Sequence, residues 1–215
     1  MRDSIYNAFL ECDKETGIYY IDDYIPMWRG GRKDNFSSMI ISLKEKETQA
    51  IDYFANLLTP FLFWLNKDIS SLDILMTHVP SSSSDNIHTG MFRLNQKISI
   101  FADDAVNSGE DLHTFYQSLD FFQRHTSIRS SHSGGNRDIS NHMTSIKLDL
   151  HTDITRSNQK LNKEISELVQ NPLLIIDDVT TSGSSLLACR KIAFKQGFRE
   201  VFLLALGRTV RNDKE

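Results

Sequence analysis

Asp177 and Asp178 stand side by side at the end of an apolar run, Leu173-Leu174-Ile175-Ile176, and lead into Val179-Thr180-Thr181-Ser182-Gly183-Ser184-Ser185. Neighbouring carboxylates can grip a diol. A hydroxyl-rich turn with a glycine, opening a helix, suits a phosphate dianion, which takes up hydroxyls, backbone N–H groups and the positive end of the helix dipole. Set a few residues apart, the two features specify a phosphorylated sugar. The apolar run reads as a short strand buried in the middle of a parallel sheet. Two adjacent carboxylates are costly to bury together, so they are expected at the carboxyl end of that sheet, where open α/β sheets bind ligands. The chain has no GxxxxGK[ST] and no GxGxxG after a strand. Nucleoside-triphosphatase and dinucleotide-binding readings therefore lose their main support.

These groups need elements to hold them. Residues 17–43 read as a small β region, with a strand near 18–21, a turn near Trp28 and a further strand over 36–43. Residues 46–65 have helical apolar spacing, with a kink or break expected at Pro60. A strand over 72–79 ends at Pro80 and a serine run, Ser81, Ser82, Ser83 and Ser84. Helices are expected over 88–105, 110–119, 157–169 and 184–196, and a last strand over 200–206. This alternation implies βαβ units and a mainly parallel sheet. Right-handed crossovers then bring the carboxyl ends of the strands at 72–79 and 173–176 to one rim. The serine run is thus either a loop of close-approaching amides and hydroxyls beside the acid pair, or a solvent-exposed linker. Residues 121–137 carry no acid but hold Arg124, Arg129, Arg137 and Gly134-Gly135. That stretch is either a mobile surface loop or a lid whose arginines close on an anion.

The run at 173–185 resembles the phosphoribosyl pyrophosphate (PRPP) signature of the type I phosphoribosyltransferases, with Thr181-Ser182-Gly183 where Thr-Thr-Gly is usual. The resemblance implies an α/β fold with a mainly parallel central sheet flanked by helices, a hood over residues 1–45 and a core over 46–215. It also implies an enzyme that transfers phosphoribosyl from PRPP to a nitrogenous acceptor, with Mg²⁺, releasing pyrophosphate. In that reading Asp177 and Asp178 hold the ribose diol and the metal ion. Val179, Thr180, Thr181, Ser182, Gly183, Ser184 and Ser185 surround the 5′-phosphate. Ser81, Ser82 and Ser83 receive pyrophosphate, and Arg129 or a neighbour covers it. The alternative role for either acid is general base to the incoming nucleophile. Over about 70–210 the chain is similar to the ComF-type members, through Val79-Pro80, Asn95-Gln96, Arg124 with Thr126, Arg137, Asn141 and Gly207-Arg208-Thr209. It lacks their cysteine zinc ribbon and the arginine cluster before the Asn-Gln pair. A PRPP- or nucleotide-sensing regulator, or an effector in a competence or anti-phage system, is the alternative class. Tyr19, Tyr20, Tyr24, Trp28 and Phe36 are either core or a stack for a flat acceptor.

Whole-chain properties set the bounds. At 215 residues, 40% hydrophobic and 24% charged, one globular domain with a sizeable core is expected. A net charge of −4 gives no strong nucleic-acid signal. Cys12 and Cys189 form no CxxC, so neither a zinc ribbon nor a disulfide framework is indicated. No signal-peptide or membrane-spanning stretch is read from the sequence, and a cytoplasmic protein is expected. The oligomeric state, a homodimer included, is left open.

Overall fold

The computed structural model describes residues 10–26, 34–68, 73–82, 90–108, 115–118, 121–128, 138–150, 154–156, 159–160 and 164–210. In chain order the elements are β1 (Glu11–Asp13), β2 (Ile18–Tyr24), α1 (Asn35–Lys44), α2 (Thr48–Asp68), β3 (Ile74–His78), α3 (Gly90–Asn107), β4 (Phe115–Ser118) and β5 (Phe122–Arg124). They continue with α4 (Ile139–Ser145), β6 (Ile146–Leu148), β7 (Ile154–Arg156), β8 (Gln159–Lys160), α5 (Ile165–Leu168), β9 (Leu173–Thr180), α6 (Ser184–Lys195) and β10 (Val201–Thr209). The fold is α/β, with a mostly parallel central sheet flanked by helices. Among the described residues the main sheet has the order β1-β2-β10-β9-β3-β4-β7-β8, and β5 pairs with β6 separately. β2, β10, β9, β3 and β4 run parallel, while β1, β7 and β8 are antiparallel additions.

β9 is apolar on both faces because helices cover both. Leu174 and Ile176 pack into the cluster shared with α1, α2 and α3; Leu173 and Ile175 pack into the cluster that includes Leu186 and Cys189 of α6. All four are fully buried, and such side chains each contribute about 1.5–3 kcal/mol of apolar transfer. The odd–even alternation slips just past the acids, since Val179 lies with Leu174 and Ile176. β3 is the parallel neighbour of β9, with His78 opposite Ile176, so their carboxyl ends share a rim as the alternation of elements predicts. No described helix is long and apolar enough to cross a membrane.

Four local expectations are corrected. Residues 36–43 are helix, not strand: Asp34 is an N-cap whose side chain accepts from the Ser37 amide at 2.6 Å, and Phe36, Ile40 and Leu43 form one buried stripe. α2 runs through Pro60 without a break in its span. The short helix expected over 110–119 gives way to β4, which pairs in parallel with β3. Of the helix expected over 157–169, the described residues show helix at α5 alone, with β8 inside the expected range. The Asn171 amide donates to the carbonyls of Glu167 and Leu168, at 3.0 and 3.2 Å, and closes α5 before β9 begins.

Candidate functional site

The carboxyl ends of β9 and β3 open into one cavity of about 370 Å³. Asp177, Asp178, Val179, Thr180, Thr181, Ser182, Gly183, Ser184 and Ser185 all line it, and so do Ser81 and Ser82 from the end of β3. Ser83, Trp28, Arg129 and Arg137 lie outside the described residues.

Gly183 is the hinge of the hydroxyl loop. It is the N-cap of α6 with φ +72°, and a Cβ there would stand 2.4 Å from Cδ1 of Ile18. Only glycine satisfies both demands. It also leaves the first turn of α6 without a side-chain cap, so the positive end of this helix faces the cavity. The hydroxyls around it are ordered by short contacts: Ser182 Oγ to Ser184 Oγ at 2.9 Å, and Thr181 Oγ1 to Thr209 Oγ1 at 3.1 Å. Ser185 Oγ lies 3.2 Å from Nδ1 of His142, a buried residue of α4. Burial first, and Arg124 second, hold the His142 pKa below the ordinary histidine value.

The two acids differ. Burial first, then the like charge of Asp178, pushes the Asp177 carboxyl well above the usual carboxylate range; the Asp178 amide, Lys44 and Arg124 pull the other way. Asp178 is paired with the Lys44 ammonium, 3.3 Å from its Oδ2. For Lys44, burial works to lower the pKa, but Asp178, with Tyr24 and Asp177 behind it, outweighs burial and holds it above the ordinary lysine range.

Arg124 is buried and supports the serine loop from beneath. Its Nε donates to the Ser81 carbonyl at 2.6 Å and a terminal nitrogen donates to Ser145 Oγ at 2.6 Å. The Ile128 amide donates to the Ser82 carbonyl at 3.1 Å. The beginning of the acid-free stretch is thus built into the loop it was expected to cover.

Sequence reasoning missed Lys44, Lys46 and His142, which also line the cavity. Lys44 and Lys46 carry no motif; a strand reading of 36–43 hid the helix end that delivers them. The Asp34 cap, followed by Phe36, Ile40 and Leu43, was the signal available. Among the described residues Lys46 is the one non-glycine residue with positive φ, +66°. That conformation costs a side-chain-bearing residue about 1–2 kcal/mol.

The aromatic residues are largely spoken for. Tyr24 and Phe36 are buried, Phe36 meets Phe54 edge-on at 5.6 Å, and Tyr19 packs on Phe61. Tyr20 lies under the Arg208 guanidinium, 4.3 Å from the ring centre.

Among the described residues no group of three or more His, Cys, Asp or Glu is placed to hold a metal ion. Asp177 and Asp178 offer carboxylate oxygens at one wall. Such a donor pair fits a hard cation that brings most of its ligands as water and phosphate oxygens.

No protein-family model matches the chain, and no curated protein matches it by sequence. Solved structures similar to it include a hypoxanthine phosphoribosyltransferase from Staphylococcus aureus, at 9% identity and a TM-score of 0.36 over 75% of each chain. A hypoxanthine-guanine phosphoribosyltransferase from Bacillus anthracis is similar at 14% identity and a TM-score of 0.34, over 86% of this chain and 79% of that one. A purine phosphoribosyltransferase from Pyrococcus horikoshii is similar at 10% identity and a TM-score of 0.28, over 87% and 88%. Likenesses of this depth carry no argument about chemistry.

Proposed function

We propose that this chain is a phosphoribosyltransferase that binds Mg²⁺–PRPP and transfers its phosphoribosyl group to a nitrogenous acceptor, releasing pyrophosphate. One observation carries the reading: a single cavity joins the acid pair of β9, the hydroxyl loop opening α6 and the serines that follow β3. A diol grip between two anion grips fits a sugar that is phosphorylated at both ends. The narrower ComF-like identity rests on the sequence motifs alone.

In this reading residues 181–185 anchor the 5′-phosphate, and Asp177 and Asp178 orient the ribose hydroxyls. Ser81 and Ser82 lie beside the pyrophosphate, with Ser83 and Arg129 proposed to complete that end. The bond from C1 to the pyrophosphate oxygen breaks as the lone pair of the acceptor nitrogen forms the new C1–N bond. The enzyme's part is to fix the sugar against the nucleophile and to stabilise the departing charge. One of the two acids takes up the proton that the nitrogen gives up. Mg²⁺ would be held by Asp177 and Asp178 and would neutralise charge on the pyrophosphate oxygens. Acceptor contacts are proposed for residues 1–45, the expected hood, whose α1 delivers Lys44 to the cavity.

Calorimetry with Mg²⁺–PRPP tests the assignment. Replacing both acids, Asp177→Asn with Asp178→Asn, should weaken binding by about a hundred-fold or more, since two charge-assisted contacts to the diol are lost. Unchanged affinity would overturn the proposal. Pyrophosphate release across a panel of bases and amines then separates catalysis from sensing: tight binding with no release from any acceptor assigns the pocket to a regulator.

A further inference from the structure

The carboxyl end of α1 is built as a turn that ordinarily takes glycine. The Lys46 amide donates to the Leu43 carbonyl at 2.9 Å and the Glu47 amide to the Ser42 carbonyl at 3.0 Å. This is the double hydrogen bond of a Schellman turn, with Lys46 at its left-handed position. The turn is clamped from outside. Arg93 donates to the Lys46 carbonyl at 3.3 Å. Gly90, the first residue of α3, packs so closely that a Cβ would lie 1.8 Å from the Leu43 oxygen. Gly90 and Lys46 line the same cavity as Ser81 and Ser82.

Charge accounting around the cavity singles out one group. Lys44 is held by Asp178 and Arg124 by Ser81 and Ser145. Lys46 lines the cavity and has no carboxylate partner among the described residues. A strained backbone kept at a ligand cavity is a pointer to function when the surrounding structure holds it there.

We propose that Lys46 is an anion-binding residue, presented by the α1 turn to the diphosphate end of the ligand while residues 181–185 hold the opposite phosphate. This rests on the phosphoribosyltransferase reading and extends its pyrophosphate subsite to the N-terminal segment. Lysine stands where glycine would be more comfortable because its ammonium is needed in the cavity.

The consequence is that stability and binding move in opposite directions. Lys46→Gly should raise the melting temperature by about 2–4 °C, as glycine relieves the left-handed strain. The same variant should bind inorganic pyrophosphate about ten-fold more weakly by calorimetry, the loss of one charge-assisted contact. Its affinity for ribose 5-phosphate should be unchanged, and Lys46→Arg should retain pyrophosphate binding. If Lys46→Gly binds pyrophosphate as the wild type does, or melts lower, the inference is overturned while the pocket reading stands. If the wild type binds neither pyrophosphate nor ribose 5-phosphate, the pocket reading itself fails and takes the inference with it.

Discussion

Toward the α4–α6 layer, Asp177 lies within electrostatic reach of Arg124 and of the Cys189 thiol, both buried. Toward α1, its neighbour Asp178 meets Lys44 in a pair whose side chains are 25% and 39% exposed, respectively. On the first side the cation is tied into the scaffold, because the Arg124 hydrogen bonds are what hold the Ser81 carbonyl. On the second it is partly exposed, within reach of solvent. Two carboxylates adjacent in sequence therefore do different work. Asp177 sits over a fixed floor that burial makes costly to charge, and Asp178 sits in a partly exposed ion pair with Lys44.

The sharpest way to break this contrast is to remove each cation in turn. Arg124→Met takes away the donor from which the part-buried Ser81 carbonyl and the buried Ser145 hydroxyl accept. It should cost about 3 kcal/mol of stability, seen as a lower midpoint in chemical denaturation. The serine loop should loosen with it, and pyrophosphate affinity should fall together with stability. A midpoint equal to wild type would mean that the two sides are equally shallow.

Next in size is pH. His78, buried at the end of β3 beside β9, has its pKa lowered by burial from 6.5 to about 4, and its Nδ1 has no hydrogen-bond partner among the described residues. Between those values the unfolded chain binds the proton and the native one does not. Stability should therefore fall as pH drops from 6.5 toward 4, by about 3 kcal/mol across that window, and His78→Leu should remove this slope. Asp177 has the opposite sign: its folded pKa is raised, so its contribution is complete below the ordinary carboxylate value and is lost as pH rises through the folded one. Asp177→Asn should therefore gain stability relative to wild type as pH increases. Denaturation curves from pH 4 to 8 check both slopes, and a flat difference for Asp177→Asn would remove the burial argument.

The same contrast marks what the sequence made legible. The floor was readable, because a run of four branched apolar residues, an acid pair and a glycine turn each have a local physical signature. Parallel alternation then brought Ser81 and Ser82 to the same rim without any contact being known. The α1 side was not readable. Phe36, Ile40 and Ile41 favour strand in isolation, and the Asp34 cap with the helical spacing of Phe36, Ile40 and Leu43 outweighed them. With the helix misread, Lys44 and Lys46 had no position from which to reach the acids. His142 itself, and what Arg124 binds, were hidden for another reason. Their partners, Ser185 and Ser81, lie 43 residues away in each case, and nothing local in the sequence records such a pairing.

The smallest effect is the most discriminating. Lys44→Met keeps the length of the side chain and removes its charge. Because the pair with Asp178 is partly exposed, solvent already screens it, and the stability cost should stay below about 1 kcal/mol. Yet Lys44 is one of the two cations that hold the Asp177 pKa down. Removing it should push that pKa further up and move the pH-dependent gain of Asp177→Asn to higher pH when both changes are made in one background. A structural ion pair would show the reverse pattern, a large loss of stability with the Asp177 titration unmoved. Should Lys44→Met prove as costly as Arg124→Met, the shallow cation is bound into the scaffold no less firmly than the deep one. Asp178 would then have no exchangeable partner to give up to a sugar.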